Sequence, residues 1–202
     1  MKIRISKTEI ELSYFLICLI AIILIIGDLQ RFVFCLFSVI IHEAGHILMM
    51  AIFKTPPEKI KISAFEISIS DKQRQSRSKK QNLLIIFFGP FVNFICFICF
   101  FLLYLFCNKV FLPLAVANIS VCIFNMLPVL SLDGGQLIYI LLSFKFEHHI
   151  CDKVVNIITF IFIFPLAVLG FFVLFKSKYN FSLLFVCIYL VASLVMRNNK
   201  YY

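Results

Sequence analysis

From Phe32 to Phe53 the chain runs through 22 residues that are apolar or small except for Ser38, His42, Glu43 and His46. As a helix this run is about 33 Å long at 1.5 Å per residue, enough to cross a hydrocarbon layer of about 30 Å. In lipid a spanning segment must satisfy its own backbone, so a helix is the conformation open to it. An unpaired charge at its centre would cost roughly 2.5 to 3.5 kcal/mol on insertion scales, so three ionisable residues there need a reason. On a helix, positions i and i+4 share a face. His42 and His46 therefore present their imidazoles in one direction, with Glu43 beside them.

That arrangement suits zinc. Two neutral imidazoles can hold the ion, while Glu43, too close in sequence to be a comfortable third ligand, takes a proton from the attacking water. It is the H-E-x-x-H spacing of zinc peptidases. A hydrogen-bonded core trio or a proton relay would use the same residue types. Against both, two of the chain's four histidines stand at this spacing around Glu43, and a metal removes the cost of leaving them unpaired. Gly45 fits as well, since a missing side chain lets another backbone approach the helix.

Composition sets the rest of the chain in the same medium. Of 202 residues, 62% are hydrophobic and mean hydropathy is +1.04, against about 45 to 50% apolar in soluble domains. The chain reads as an integral membrane protein. Tyr14 to Ile26 is followed by Gly27-Asp28 rather than a small-x-small cleavage site, so it reads as a first span and not a removable signal. Eight scattered cysteines lack disulfide or zinc-ribbon spacing and read as small buried hydrophobes, with the Cys96-x-x-Cys99 pair as lipid-facing or packing surface rather than a redox pair.

The net charge of +9 does not point to nucleic acid, because the basic residues follow membrane topology. With spans at about 13–27, 32–53, 82–107, 110–130, 153–175 and 180–196, fifteen of the nineteen lie on one side, all but Arg31, Lys109, Lys176 and Lys178. The positive-inside rule makes that side cytoplasmic. The expectation is a multi-pass protein of the cell membrane with both termini cytoplasmic. His42 to His46 then lie roughly 10 to 18 Å from the cytoplasmic end of span two.

Beyond Pro56-Pro57, residues 59–70 alternate apolar and polar with one slip at Ala64-Phe65, which predicts a cytosolic β-strand or hairpin between spans two and three. Asp71 to Gln81 reads as a solvated linker. Span three carries Gly89-Pro90-Phe91-Val92-Asn93, a proline and an asparagine at membrane depth, as either a satisfied kink or part of a site. In span four Asn118 and Asn125 are seven apart and so share a face. Pro128 breaks the helix, and Asp133 is expected on irregular backbone held by Gly134 and Gly135. Leu137 to Phe144 is too short to span and is placed at the cytoplasmic surface. His148 and His149 are adjacent and cannot share a helix face, so a surface role suits them better than a second metal site. Spans five and six carry no strong chemistry.

With His42-Glu43-Ala44-Gly45-His46 in span two and Asn125-x-x-Pro128-x-x-x-x-Asp133-Gly134 in span four, the chain resembles the site-2 protease family of intramembrane zinc metalloproteases. The Gly89-Pro90-x-x-Asn93 element, six spans and small size are most similar to its stage IV sporulation protein FB branch. Ser131 stands where many relatives have a second proline, and Phe88 replaces the small residue usual before Gly89-Pro90. The resemblance covers residues 10 to 196. It implies an all-α polytopic membrane protein of about six helices, a single membrane-embedded metalloprotease domain over 1–202, with no PDZ or CBS domain.

The implied activity is peptide-bond hydrolysis in a membrane-associated regulatory protein near the cytosolic membrane face, in that branch a pro-sigma factor during sporulation. A regulatory membrane partner is also expected. One zinc per chain is held by His42, His46 and a third donor, with Glu43 as general base. Glu66 and Asp133 compete for that third place: Glu66 falls in a strand-like cytosolic segment, whereas Asp133 lies in the cytoplasmic half of span four, and the resemblance points to it. Asn93, Asn118 or Asn125 is expected to orient substrate or support the oxyanion. The rival reading is a zinc or cation transporter, or a metal-stabilised scaffold, on the same residues. It needs a polar path open to both sides, and the outer halves of the spans are nearly free of ionisable groups.

Overall fold

The computed structural model of the chain describes residues 2–5, 8–12, 29–57, 59–62, 67–70, 74 and 76–176. The expected spans at 13–27 and 180–196, and Glu66, lie outside them. The chain divides into two compact units, Met1–Ile123 and Phe124–Tyr202.

In the first unit, strands β1 (Lys2–Ile5) and β2 (Thr8–Leu12) precede helix α1 (Leu29–Ile52). Strands β3 (Lys59–Ile62) and β4 (Ile67–Ser70) lead to helices α2 (Lys79–Phe106) and α3 (Phe111–Asn125). The strands form one sheet in the order β1-β2-β3-β4. β1 and β2 pair antiparallel with Lys2 opposite Glu11, β2 and β3 pair parallel with Ile10 beside Ile60, and β3 and β4 pair antiparallel with Ile62 opposite Ile67. The all-α expectation with one small β element therefore needs enlarging. Residues 2–5 and 8–12, for which no element is expected above, each alternate apolar and polar at the strand period and supply half of the sheet.

α1 ends in a Schellman turn: the Thr55 N–H reaches the Met50 carbonyl at 2.9 Å and the Lys54 N–H reaches that of Ala51 at 2.9 Å. Lys54 takes the left-handed position, φ 58°, where glycine is usual. α2 opens on a capping box. The Ser78 hydroxyl accepts from the Gln81 N–H, and the Gln81 side chain accepts from that of Ser78. The buried Arg77 donates to Thr55 Oγ1 at 3.1 Å, linking the end of α1 to the start of α2. Burial pushes its guanidinium below the ordinary arginine value.

The second unit holds α4 (Asp133–Ser143) and α5 (His148–Lys176), packed on each other. The span expected at 110–130 is shorter than that: α3 stops at Asn125, and Leu127 to Leu132 form turns around Pro128, which has no N–H to continue a helix. Val129, Leu132 and Ile163 form the local core, with Phe124 and Leu127 against it.

α1, α2 and the stretch His148–Gly170 of α5 are long and apolar enough to cross a membrane, at mean hydropathies of 1.8, 2.6 and 2.1. Their apolar surface points outward: Ile157, Phe160, Ile161 and Phe164 on α5 are all exposed, as are Phe87, Phe91, Phe94 and Phe101 on α2. Contiguous apolar surface of that extent suits lipid, and the chain is a membrane protein. Among the described residues all six cysteines are free.

Candidate metal centre

The geometry starts with two glycines. A Cβ on Gly45 would lie 2.9 Å from the Phe88 carbonyl oxygen and 3.1 Å from the Gly89 Cα, so α1 meets the backbone of α2 there. A Cβ on Gly89 would strike Cε1 and Nε2 of His46 and lie 3.0 Å from Cε1 of His42. The missing side chain of Gly45 thus brings the helices together, and that of Gly89 leaves the space the imidazoles fill.

Both histidines are buried, with 4% and 8% of their surface exposed. Their rings stand edge to face, centroids 4.8 Å apart and planes at 88°. His46 Nδ1 lies 2.8 Å from the Ile85 carbonyl oxygen, which can only accept, so the proton sits on Nδ1 and Nε2 carries a lone pair. Nε2 of His46 and Nε2 of His42 are 3.2 Å apart. Two imidazole nitrogens on a tetrahedral zinc, each about 2.0 to 2.1 Å from the ion, are about 3.3 Å apart. The pair fits a metal, and the Ile85 carbonyl is the outer partner that metal-bound histidines usually have. Glu43, next along α1, is half-buried.

Asn93 is fully buried one turn beyond Gly89, and its Nδ2 donates to the Ser38 carbonyl at 3.2 Å. Ser38 lies one turn before His42, so this bond fixes α1 against α2 beside the imidazole pair. Asn118, also fully buried, donates to the Leu114 carbonyl of its own helix at 2.9 Å. Each of these amides spends an N–H on a backbone carbonyl. Asn125 is the half-buried last residue of α3.

In the second unit Asp133 is half-buried and opens α4. This corrects the expected irregular backbone: Asp133 is helical, no glycine among the described residues has positive φ, and α4 begins four residues earlier than the short helix expected at Leu137. The glycines serve close approach. A Cβ on Gly134 would strike the Met126 and Leu127 carbonyl oxygens, and one on Gly135 would strike the Val129 carbonyl and lie 2.6 Å from Leu130 N. Thr159 on α5, which nothing in the sequence singles out beyond a lone hydroxyl in an apolar run, accepts through Oγ1 from the Leu130 N–H at 3.0 Å. His148 is exposed and bonded through Nδ1 to the Tyr139 hydroxyl at 3.0 Å.

Comparisons with known proteins agree with this chemistry. A family described as "Putative zincin peptidase" (DUF3267) matches residues 35–133, and peptidase family M50 matches residues 107–169. Stage IV sporulation protein FB of Bacillus subtilis (strain 168) is 25% identical over 138 residues, 67% of this chain. The match spans 48% of that relative, so the chain covers about half the length of the curated protein it resembles. In fold it is similar to the site-2 protease from Methanocaldococcus jannaschii, with a TM-score of 0.69 at 22% identity over 94% of this chain and 91% of that one. Taken with the buried His42-Glu43-x-x-His46 helix, these matches make the chain similar to the M50 metallopeptidases and to stage IV sporulation protein FB, on a fold like that of a site-2 protease.

Proposed function

We propose that the protein is an intramembrane zinc metalloendopeptidase that cleaves a membrane-associated regulatory protein near the cytosolic membrane face. The observation that carries this is the pair of buried Nε2 atoms 3.2 Å apart on an apolar helix, one ring fixed by the Ile85 carbonyl. His42, His46 and Asp133 would hold the zinc. What supports Asp133 in this set is the stretch Asn125-x-x-Pro128-x-x-x-x-Asp133-Gly134, which carries the resemblance to the site-2 protease family.

Zinc held there supplies Lewis acidity, which eases deprotonation of water and polarises a carbonyl. Glu43 takes the proton from the attacking water and passes it to the leaving amine. The Ile85 carbonyl keeps His46 in the tautomer whose Nε2 can donate a lone pair, and the Asn93 bond to Ser38 holds α1 in register with α2. The chain acts as one membrane-embedded protease unit crossing the cell membrane several times, with both termini and residues 54–81 cytosolic. Its substrate class, by likeness to stage IV sporulation protein FB, is a pro-sigma factor during sporulation.

The test is coexpression of candidate membrane-tethered substrates with wild type and Glu43→Gln, with metal analysis of both purified proteins. Glu43→Gln is expected to abolish cleavage and to keep about one zinc per chain, since it removes the base and neither imidazole. Full cleavage by this variant would sink the hydrolase mechanism. Loss of zinc along with activity would make Glu43 a ligand.

A further inference from the structure

We propose that Thr159 is a positioning residue for Asp133: its hydroxyl fixes the peptide on which the first turn of α4 rests, and so sets the pose of the carboxylate. The inference rests on the reading of Asp133 as the third zinc donor.

In the segment between α3 and α4, Pro128 contributes no N–H, and the segment's own backbone bonds run from Leu127 to Phe124, from Val129 to Leu127 and from Leu132 to Val129. Leu132, the N-cap of α4, has a side chain that cannot cap, so the N-cap position gives the helix no side-chain capping bond. The Leu130 N–H instead bonds to Thr159 Oγ1 at 3.0 Å, a partner 29 residues later in sequence. Thr159 is 1% exposed and lies on α5 four residues before Ile163 of the local core, where no water can take over the bond.

The same peptide is gripped from a second direction, because a Cβ on Gly135 would fall 2.6 Å from Leu130 N. The Leu130 peptide is thus held between a hydroxyl of α5 and the side-chain-free first turn of α4, and Asp133 is two residues before that glycine. A shift of the Leu130 peptide is passed to the start of α4 because no side chain intervenes. Groups that orient a metal ligand without touching the metal typically change affinity 10- to 100-fold.

The test uses the full-length purified chain in detergent, with zinc affinity measured by competition against a chromogenic chelator and the melting temperature of the metal-free protein recorded in parallel. Thr159→Val, which keeps shape and loses the acceptor, is expected to weaken zinc binding about tenfold. Thr159→Ser, which keeps the hydroxyl, is expected to bind within about twofold of wild type. A role in packing alone would lower the melting temperature of Thr159→Val without moving its zinc affinity, and that result overturns the proposal. So does a Thr159→Val chain that fails to fold, since the hydroxyl would then serve the fold as a whole, and so does a Thr159→Ser as weak as the valine variant. Asp133→Ala separates the two readings. If it keeps wild-type zinc affinity, the ligand assignment itself is wrong; if it loses zinc while Thr159→Val keeps it, the positioning role alone fails.

Discussion

Gly89→Ala puts the packing of the imidazole pair to a direct test. The added methyl would strike Cε1 and Nε2 of His46 and lie 3.0 Å from Cε1 of His42. An ordinary contact is about 3.5 Å or more, so the His46 ring must retreat by about 1 Å. Its Nδ1 is bonded to the Ile85 carbonyl at 2.8 Å, and a retreat of that size along the bond would stretch it past about 3.5 Å and break it. Overpacking of this kind costs about 1 to 3 kcal/mol of stability. The lost outer partner should weaken zinc binding about 10- to 100-fold, or about 1.4 to 2.8 kcal/mol. Zinc affinity would be read by chelator competition and stability by thermal unfolding in detergent. Gly45→Ala is the comparison, since its methyl meets the backbone of α2 at Phe88 and touches neither ring, so its main expected effect is on stability. Wild-type zinc affinity in Gly89→Ala, with unchanged melting, would refute the account of how Gly89 shapes the site.

Three further outcomes are expected. Asp133→Ala should lower chelator-resistant zinc from about one per chain to under about a tenth, with activity lost alongside, whereas Glu66→Ala keeps the metal; the reverse pattern on metal analysis would replace the third donor. Lys54→Gly should stabilise the protein by about 1 kcal/mol, because a lysine at φ 58° bears the left-handed penalty that glycine avoids; an unchanged or lower melting temperature would show that the lysine's charge at the helix C-terminus outweighs it. A phosphatase fusion after Arg77 should be silent and a cytosolic reporter there active, as the lysine and arginine distribution requires; the opposite pair of results would invert the proposed orientation.

What the sequence determined by itself was whatever depends on neighbours within a turn or two of helix. The i, i+4 spacing of His42 and His46 places both imidazoles on one face wherever that helix lies. The apolar runs around them require a bilayer, and Pro128 ends α3 because it has no N–H to give. Alternation in 59–62 and 67–70 is likewise a local signal, and residues 2–5 and 8–12 carry the same signal in shorter runs among charged residues. Pairing and approach between distant segments were decided only by tertiary structure. Gly45 was legible as a place for a neighbouring backbone, but that the neighbour is Gly89, and that Gly89 makes room for the imidazoles, depends on where two helices cross. Asn93 is legible in the sequence as a polar group at membrane depth, but the bond of its amide to the Ser38 carbonyl, 55 residues earlier, is not. Asp133 could be chosen from the sequence, yet its place at the start of a helix comes from glycines pressed on the preceding turns and from a hydroxyl on α5. A hydrogen bond to a residue 29 positions away leaves no period or spacing in the chain, which is why Thr159 passed for one more residue of an apolar span.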